Sequence, residues 1–201
     1  MQAYWRVIGI VLQSAAFLCA VAPGFANNAL QKPYKISVLA FHYFPSGHDN
    51  NTAPQVLAPW SAAYFKHSIL ITPQTPTDAT LVTDTTLLPL QDSTLNRLAT
   101  TLTHEGGATL LYHAAWRTSF APEEIKTFHL QDSGFDAMLQ VQRKYYFNIH
   151  WKSQWRLSEH LNTLYYDRIL SLEDNYQAPS NQVQYIDSPD YGVFIEVTRL
   201  P

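Results

Sequence analysis

The sequence has almost no cysteine. Cys19 is the only one in 201 residues, and it falls in an apolar leader, so the remainder can form no disulfide and offers no thiolate chemistry. Glycine is also scarce, at seven residues. No phosphate-binding Gly loop, nucleophile elbow or HExxH motif occurs. There is no basic excess: 13 Lys+Arg stand against 16 Asp+Glu, a formal net charge of −3. With nothing to neutralise phosphates, a nucleic-acid partner is not expected. Charged residues are only 14% and aromatics 13%. Polarity comes instead from Gln, Asn, Thr, Ser and Tyr. Such a surface suits neutral, hydroxyl-rich ligands or protein partners, and it equally suits an ordinary β-rich protein.

Residues 1–26 read as a cleavable signal peptide. Arg6 is followed by the uncharged stretch Val7 to Val21, then by Ala22-Pro-Gly-Phe-Ala26, with small residues ahead of the expected cut. Gln13 and Ser14 interrupt the apolar run, which is shorter than the ~20 residues that span a bilayer. Leu18 stands where lipid attachment at Cys19 would need a small residue. The expectation is a periplasmic protein without a membrane span after cleavage. Residues 27–201 are expected to form a single α+β domain, a mainly antiparallel sheet with one clear helix at 92–104 and a C-terminal β-hairpin.

Tyr34 to Phe44 reads as a central strand because few positions are charged. Pro45 to Pro89 holds prolines at 45, 54, 59, 73, 76 and 89, half of the twelve in the chain. That density marks a Pro/Thr-rich insertion at about 45–90. Within it, Ala58–His67 suggests a short helix, and Ser68–Thr72 and Ala79–Thr83 suggest short strands. In the helix at 92–104, Asp92 or Ser93 is placed to cap the start, Leu95, Leu98 and Leu102 share a face, and Gly106-Gly107 can end it. Ala108–Thr118 reads as a strand and Ala121–Ser133 as a connecting segment. From Ala137 to Leu157, Leu139, Val141, Tyr145, Phe147, Ile149 and Trp151 alternate with Gln140, Gln142, Lys144, Asn148, His150 and Lys152. Arg143-Lys144 is either a turn between two strands or part of one long bent strand. Ser158–Asp174 is compatible with helix or strand. Gln182–Asp187 and Gly192–Thr198 flank Ser188-Pro-Asp-Tyr191, a hairpin signal.

No constellation of catalytic or metal-ligating residues stands out. His42, His48 and Asp49 are close in sequence, but a polar loop explains them without a metal. Glu123-Glu124 are adjacent and fit a role in the turn after Pro122 better than paired acid–base work. No cofactor, metal site or catalytic residue is expected. The aromatic set is more suggestive, because flat rings stack on the apolar C–H faces of sugars. Trp116, Arg117, Tyr146, His150 and Trp155 are the expected ligand-binding residues, with Trp116 and Trp155 as the exposed rings of a groove.

Four segments then point to a family. They are YKISVLAFHYF at 34–44, Leu95 through LLYHAAWRTSF at 110–120, YYFNIHW at 145–151, and VQYIDSPDYGVFIEVTRLP at 183–201. In this order the chain resembles the CsiV-type peptidoglycan-binding proteins of gammaproteobacteria. Tyr185, Asp187, Pro189 and Gly192 match a family pattern of aromatic, Asp, Pro and Gly before a terminal strand. The helix followed by a strand carrying Tyr112 and Trp116 matches a second block. The family's Arg-rich stretch is absent from Tyr176 to Asn181. Gln182 and Gln184 take the places of its charged residues, and Ser188 stands where His is usual. The resemblance implies a non-catalytic periplasmic protein that binds peptidoglycan. It also implies support of cell-wall synthesis through a lipoprotein activator of bifunctional penicillin-binding proteins. Two other readings stand beside it: an envelope protein–protein interaction module that adds an edge strand to a partner, and a cell-wall hydrolase with an unrecognised site.

Overall fold

Tyr34, Ile36, Val38 and Ala40 alternate with Ser37, Leu39 and Phe41 along a strand buried on both faces. A strand of this kind needs a layer on each side, and the computed structural model supplies both. It describes residues 31–43, 60, 62–73, 84–161 and 164–201. The expected signal peptide, His48, Asp49 and the expected strand at 79–83 lie outside the described residues.

The strands are β1 (Lys32–His42), β2 (Ile69–Ile71), β3 (Thr86–Leu88), β4 (Thr109–Phe120), β5 (Ile125–Asp132), β6 (Phe135–Arg143), β7 (Phe147–Leu161), β8 (Leu164–Ala178), β9 (Val183–Asp187) and β10 (Tyr191–Arg199). Helix α1 (Asn96–His104) lies between β3 and β4. Two five-stranded sheets result, ordered β3-β4-β1-β10-β9 and β2-β5-β6-β7-β8. β1 is central, pairing antiparallel with β10 and β4. β2 pairs with β5 in parallel. The class is α+β as expected, and β9–β10 form the expected C-terminal hairpin.

One face of each sheet contributes to a shared core. Trp116 of β4 meets Phe128 of β5 with ring centroids 5.2 Å apart, and Tyr34 of β1 meets Phe147 of β7 at 5.0 Å. Trp155 of β7 meets Tyr191 of β10 at 6.4 Å. Burying each such ring contributes roughly 1.5–3 kcal/mol. Some of the polar atoms carried inside are paired, whereas Trp116 Nε1 and the Tyr176 hydroxyl are buried without a hydrogen-bond partner among the described residues. Trp151 Nε1 donates to Ser153 Oγ at 2.8 Å, which is 2.8 Å from the Tyr191 hydroxyl. The Tyr112 hydroxyl donates to the Ile71 carbonyl at 3.0 Å.

Helix α1 covers part of the outer face of the first sheet. Leu95 and Ala99 pack on Leu39, joined by Leu98, Leu102 and Phe194. The helix is shorter than 92–104, because Leu90–Asp92 form a separate 3-10 turn. Neither Asp92 nor Ser93 is the capping residue; Leu95 is, without a side-chain cap. Ser93 still acts just upstream, where its Oγ accepts the Leu95 N–H at 3.2 Å. Gly107 supplies the left-handed conformation after the helix, with φ 63°.

Three other expectations change. The segment 121–133 is not a connection but contains β5, whose Lys126, Phe128 and Leu130 face inward. Lys126 masked the alternation. Its buried ammonium pairs with the Asp84 carboxylate, contributed by a distant part of the chain. The second is in the insertion, where Ala62–Phe65 form a single 3-10 turn. In the third, Tyr191 belongs to β10 and is fully buried, so the hairpin turn is Ser188–Asp190. Lys144–Tyr146 form the turn between β6 and β7, and the described parts of 158–174, residues 158–161 and 164–174, are strand rather than helix.

Candidate functional site

β6, β7 and β8 run antiparallel, so every second residue leaves the core side of the sheet. Their register aligns these outward residues in rows. Gln142 opposes Asn148, which opposes Gln177; Gln140 opposes His150, which opposes Asn175. No helix among the described residues packs on these rows. They line a cleft of about 380 Å³, with Ile125 of β5 at its rim.

Within the cleft the amides are partly held in place. Asn148 Nδ2 donates to Gln142 Oε1 at 3.1 Å, and Gln140 Nε2 lies 3.4 Å from Thr127 Oγ1. Each amide presents both a donor and an acceptor, which is the complement a hydroxyl or acetamido group needs. Charge is confined to the next row. Glu173 lies 3.2 Å from His150 Nε2 and 3.3 Å from the Lys152 ammonium. Hydrogen bonds from Lys152 and then His150 hold the Glu173 carboxyl below its usual range. The cleft is therefore neutral and hydrogen-bonding, with an ion-paired border.

The five residues expected to share one surface do not. His150 lines the cleft. Tyr146 is exposed in the β6–β7 turn, edge-on to Tyr145 at 4.8 Å. Arg117 is exposed on the first sheet, paired in register with Lys35 and Thr86. Trp116 and Trp155 are 0% and 8% exposed, so the expected aromatic groove does not form around them. Both side chains fall on the faces where the two sheets meet, and a large apolar ring there is worth more inside than out. Gln140, Gln142 and Asn148 were legible as the polar half of an alternation. Asn175 and Gln177 carried no comparable signal, because β8 was not recognisable as a strand.

One serine–histidine pair does occur. His113 Nε2 is 3.1 Å from Ser93 Oγ. Both side chains are buried, at 4% and 5% exposure, so a polymeric substrate cannot reach them. Desolvation holds the His113 imidazole below its ordinary pKa, which suits a neutral partner for a hydroxyl at the helix entry. The Glu124 carboxylate accepts the Ala121 N–H at 2.6 Å, a turn role. His42 is buried against Trp155, with ring centroids 4.7 Å apart. Among the described residues no group of three or more metal-ligating side chains forms.

The chain matches the family model described as "Peptidoglycan-binding protein, CsiV" over residues 10–200. It belongs to the CsiV family. No match was found among curated proteins or among solved structures. The CsiV-like block at the C-terminus is one built unit. Tyr185, Asp187, Pro189 and Gly192 all lie in the β9–β10 hairpin, where Asp187 opposes Gly192 and Tyr185 opposes Phe194. Ser188 closes the turn: its Oγ donates to the Tyr191 carbonyl at 2.9 Å. The Tyr185 hydroxyl donates to Asp187 Oδ1 at 2.8 Å. Burial and the Asp187 carboxylate push the Tyr43 phenol up to about 12, and they raise that of Tyr185 as well.

Proposed function

We propose that this protein is a non-catalytic peptidoglycan-binding protein of the cell envelope, exported by its N-terminal leader to the periplasm. The observation that carries the reading is the CsiV family match across residues 10–200. The neutral amide-lined cleft agrees with it. A glycan offers many hydroxyls and acetamido groups and little charge, and a binding protein needs a preorganised polar surface rather than a tuned nucleophile. His150, with Gln140, Gln142, Asn148, Asn175 and Gln177, is the proposed contact set, and Tyr146 extends it at the adjacent turn. Support of wall synthesis through a lipoprotein activator of penicillin-binding proteins is part of the same proposal and rests on the resemblance.

Cosedimentation with purified sacculi tests it. The protein should pellet with peptidoglycan, and the Gln142→Ala/His150→Ala double variant should pellet several-fold less. Muropeptide profiles of the incubated sacculi should be unchanged. A protein that stays in the supernatant would refute binding, and a new muropeptide would refute the non-catalytic assignment.

A further inference from the structure

The outer face of the first sheet is covered by α1 only in part. Beside the helix, at the β9 edge, three rings lie nearly parallel. Tyr185 and Phe194 have centroids 4.7 Å apart at 28°, and Phe41 is stacked with Phe194 at 5.5 Å and 15°. Phe41 and Tyr185 are 6.4 Å apart, also at 15°. Beneath them is Gly192. It is not one of the positive-φ glycines, Gly107 and Gly134, so its backbone does not demand glycine. Its missing side chain does the work instead. A Cβ there would stand 2.8 Å from both Phe41 Cζ and Tyr185 Cε2. Glycine lets the rings lie down on the strand.

Tyr185 nevertheless stays 49% exposed as a residue. It is also fixed in place. Its hydroxyl donates to Asp187 Oδ1, and the Tyr43 hydroxyl lies 2.8 Å from the same oxygen and 2.6 Å from the Ser188 carbonyl. Asp187 Oδ2 accepts no hydrogen bond from the described residues. A hairpin staple needs the two hydroxyl bonds, but not a half-exposed aromatic residue whose ring is laid over a glycine. A rigid aromatic plane with a carboxylate oxygen at its rim is the complement of a pyranose: the apolar C–H face stacks on the ring, and a hydroxyl or acetamido N–H reaches the carboxylate. Because both rings and carboxylate are already held, little ordering entropy is lost on binding.

We propose that Tyr185 and Asp187, with Phe194 stacked against the Tyr185 ring as its support, form a saccharide-stacking platform for amino-sugar pyranoses, separate from the amide-lined cleft on the second sheet. The platform rests on the peptidoglycan-binding reading for its biological ligand, while its chemistry is testable alone. The probe is chitotetraose, a β-1,4-linked N-acetylglucosamine tetramer, titrated into the purified protein and followed by NMR of the aromatic ring resonances. The Tyr185 and Phe194 rings should shift saturably. Tyr185→Ala should weaken binding about tenfold or more, and Tyr185→Phe, which keeps the ring, should weaken it less. Thermal melts establish that each variant is folded, and Asp187→Asn provides an independent probe of the rim without removing a ring. Absence of saturable ring shifts would overturn the platform, as would binding that Tyr185→Ala leaves intact. Sacculus cosedimentation separates the two ideas. Wild-type pelleting that Tyr185→Ala does not change sinks the platform and keeps the general reading, whereas no wild-type pelleting sinks the general reading while chitotetraose still judges the platform.

Discussion

The two sheets share one core but differ on their outer faces. Outward residues of the first sheet are packing residues wherever α1 lies: Leu39 is 0% exposed although it points away from the second sheet. Outward residues of the second sheet along β6–β8 are Gln, Asn, His and a Lys–Glu pair, partly accessible and bonded to one another. The same period-2 pattern thus encodes a covered face on one sheet and a solvated one on the other. What differs is how much of a third layer lands there: α1 packs on the first sheet, whereas on the second only Trp60 and Phe65 reach the outer face, at Lys152 and His129, and the rows around His150 stay open.

The largest expected effect tests the covered positions. Trp116→Ala and Leu39→Ala should each lower unfolding free energy by about 2–5 kcal/mol, since each leaves a cavity in a filled layer. Chemical denaturation reads this. If Leu39→Ala costs under about 1 kcal/mol, the outer face of the first sheet is not a true second core. A pH experiment probes the same interface more gently. His113 is neutral and desolvated when folded, but the unfolded chain protonates it below the ordinary value of 6.5. Between that value and the lowered folded one, the unfolded state holds more protons. Stability is therefore complete above 6.5 and lost as pH falls. His113→Gln should flatten this part of the stability–pH profile measured by thermal melts; an unchanged slope would mean His113 is already solvated. The smallest stability effect belongs to the solvated face. Gln142→Ala should stay within about 0.5 kcal/mol of wild type while reducing sacculus binding. A larger loss of stability would make the cleft a structural network.

The strands that announced themselves in the sequence were those with clean periodicity. β6 and β7 alternate apolar with polar, and both faces read correctly from Leu139 to Trp151, apart from Tyr145, which the turn places outside at 91% exposure. β5 was missed because an inward lysine interrupts its pattern, and the Asp84 carboxylate that neutralises it is contributed by β3's approach from elsewhere in the chain. β8 stays open between helix and strand in the sequence because its polar residues follow neither period by themselves. It becomes a strand by pairing along the length of β7. For the site, the amide row was readable and the aromatic groove was not. An exposed Trp and a buried one look alike in a strand until the facing sheet is known.

The sequence by itself determined the neutral, amide-rich polarity, the central apolar strand, the C-terminal hairpin and the family block, because local periodicity, turn chemistry and composition are properties of neighbouring residues. Tertiary structure alone decided which face of each strand is interior. It drew Trp116 and Trp155 inward, left the cleft around His150 bare, and laid Tyr185 across Gly192. Burial depends on what packs against a face, and that partner is always brought from a distant part of the chain.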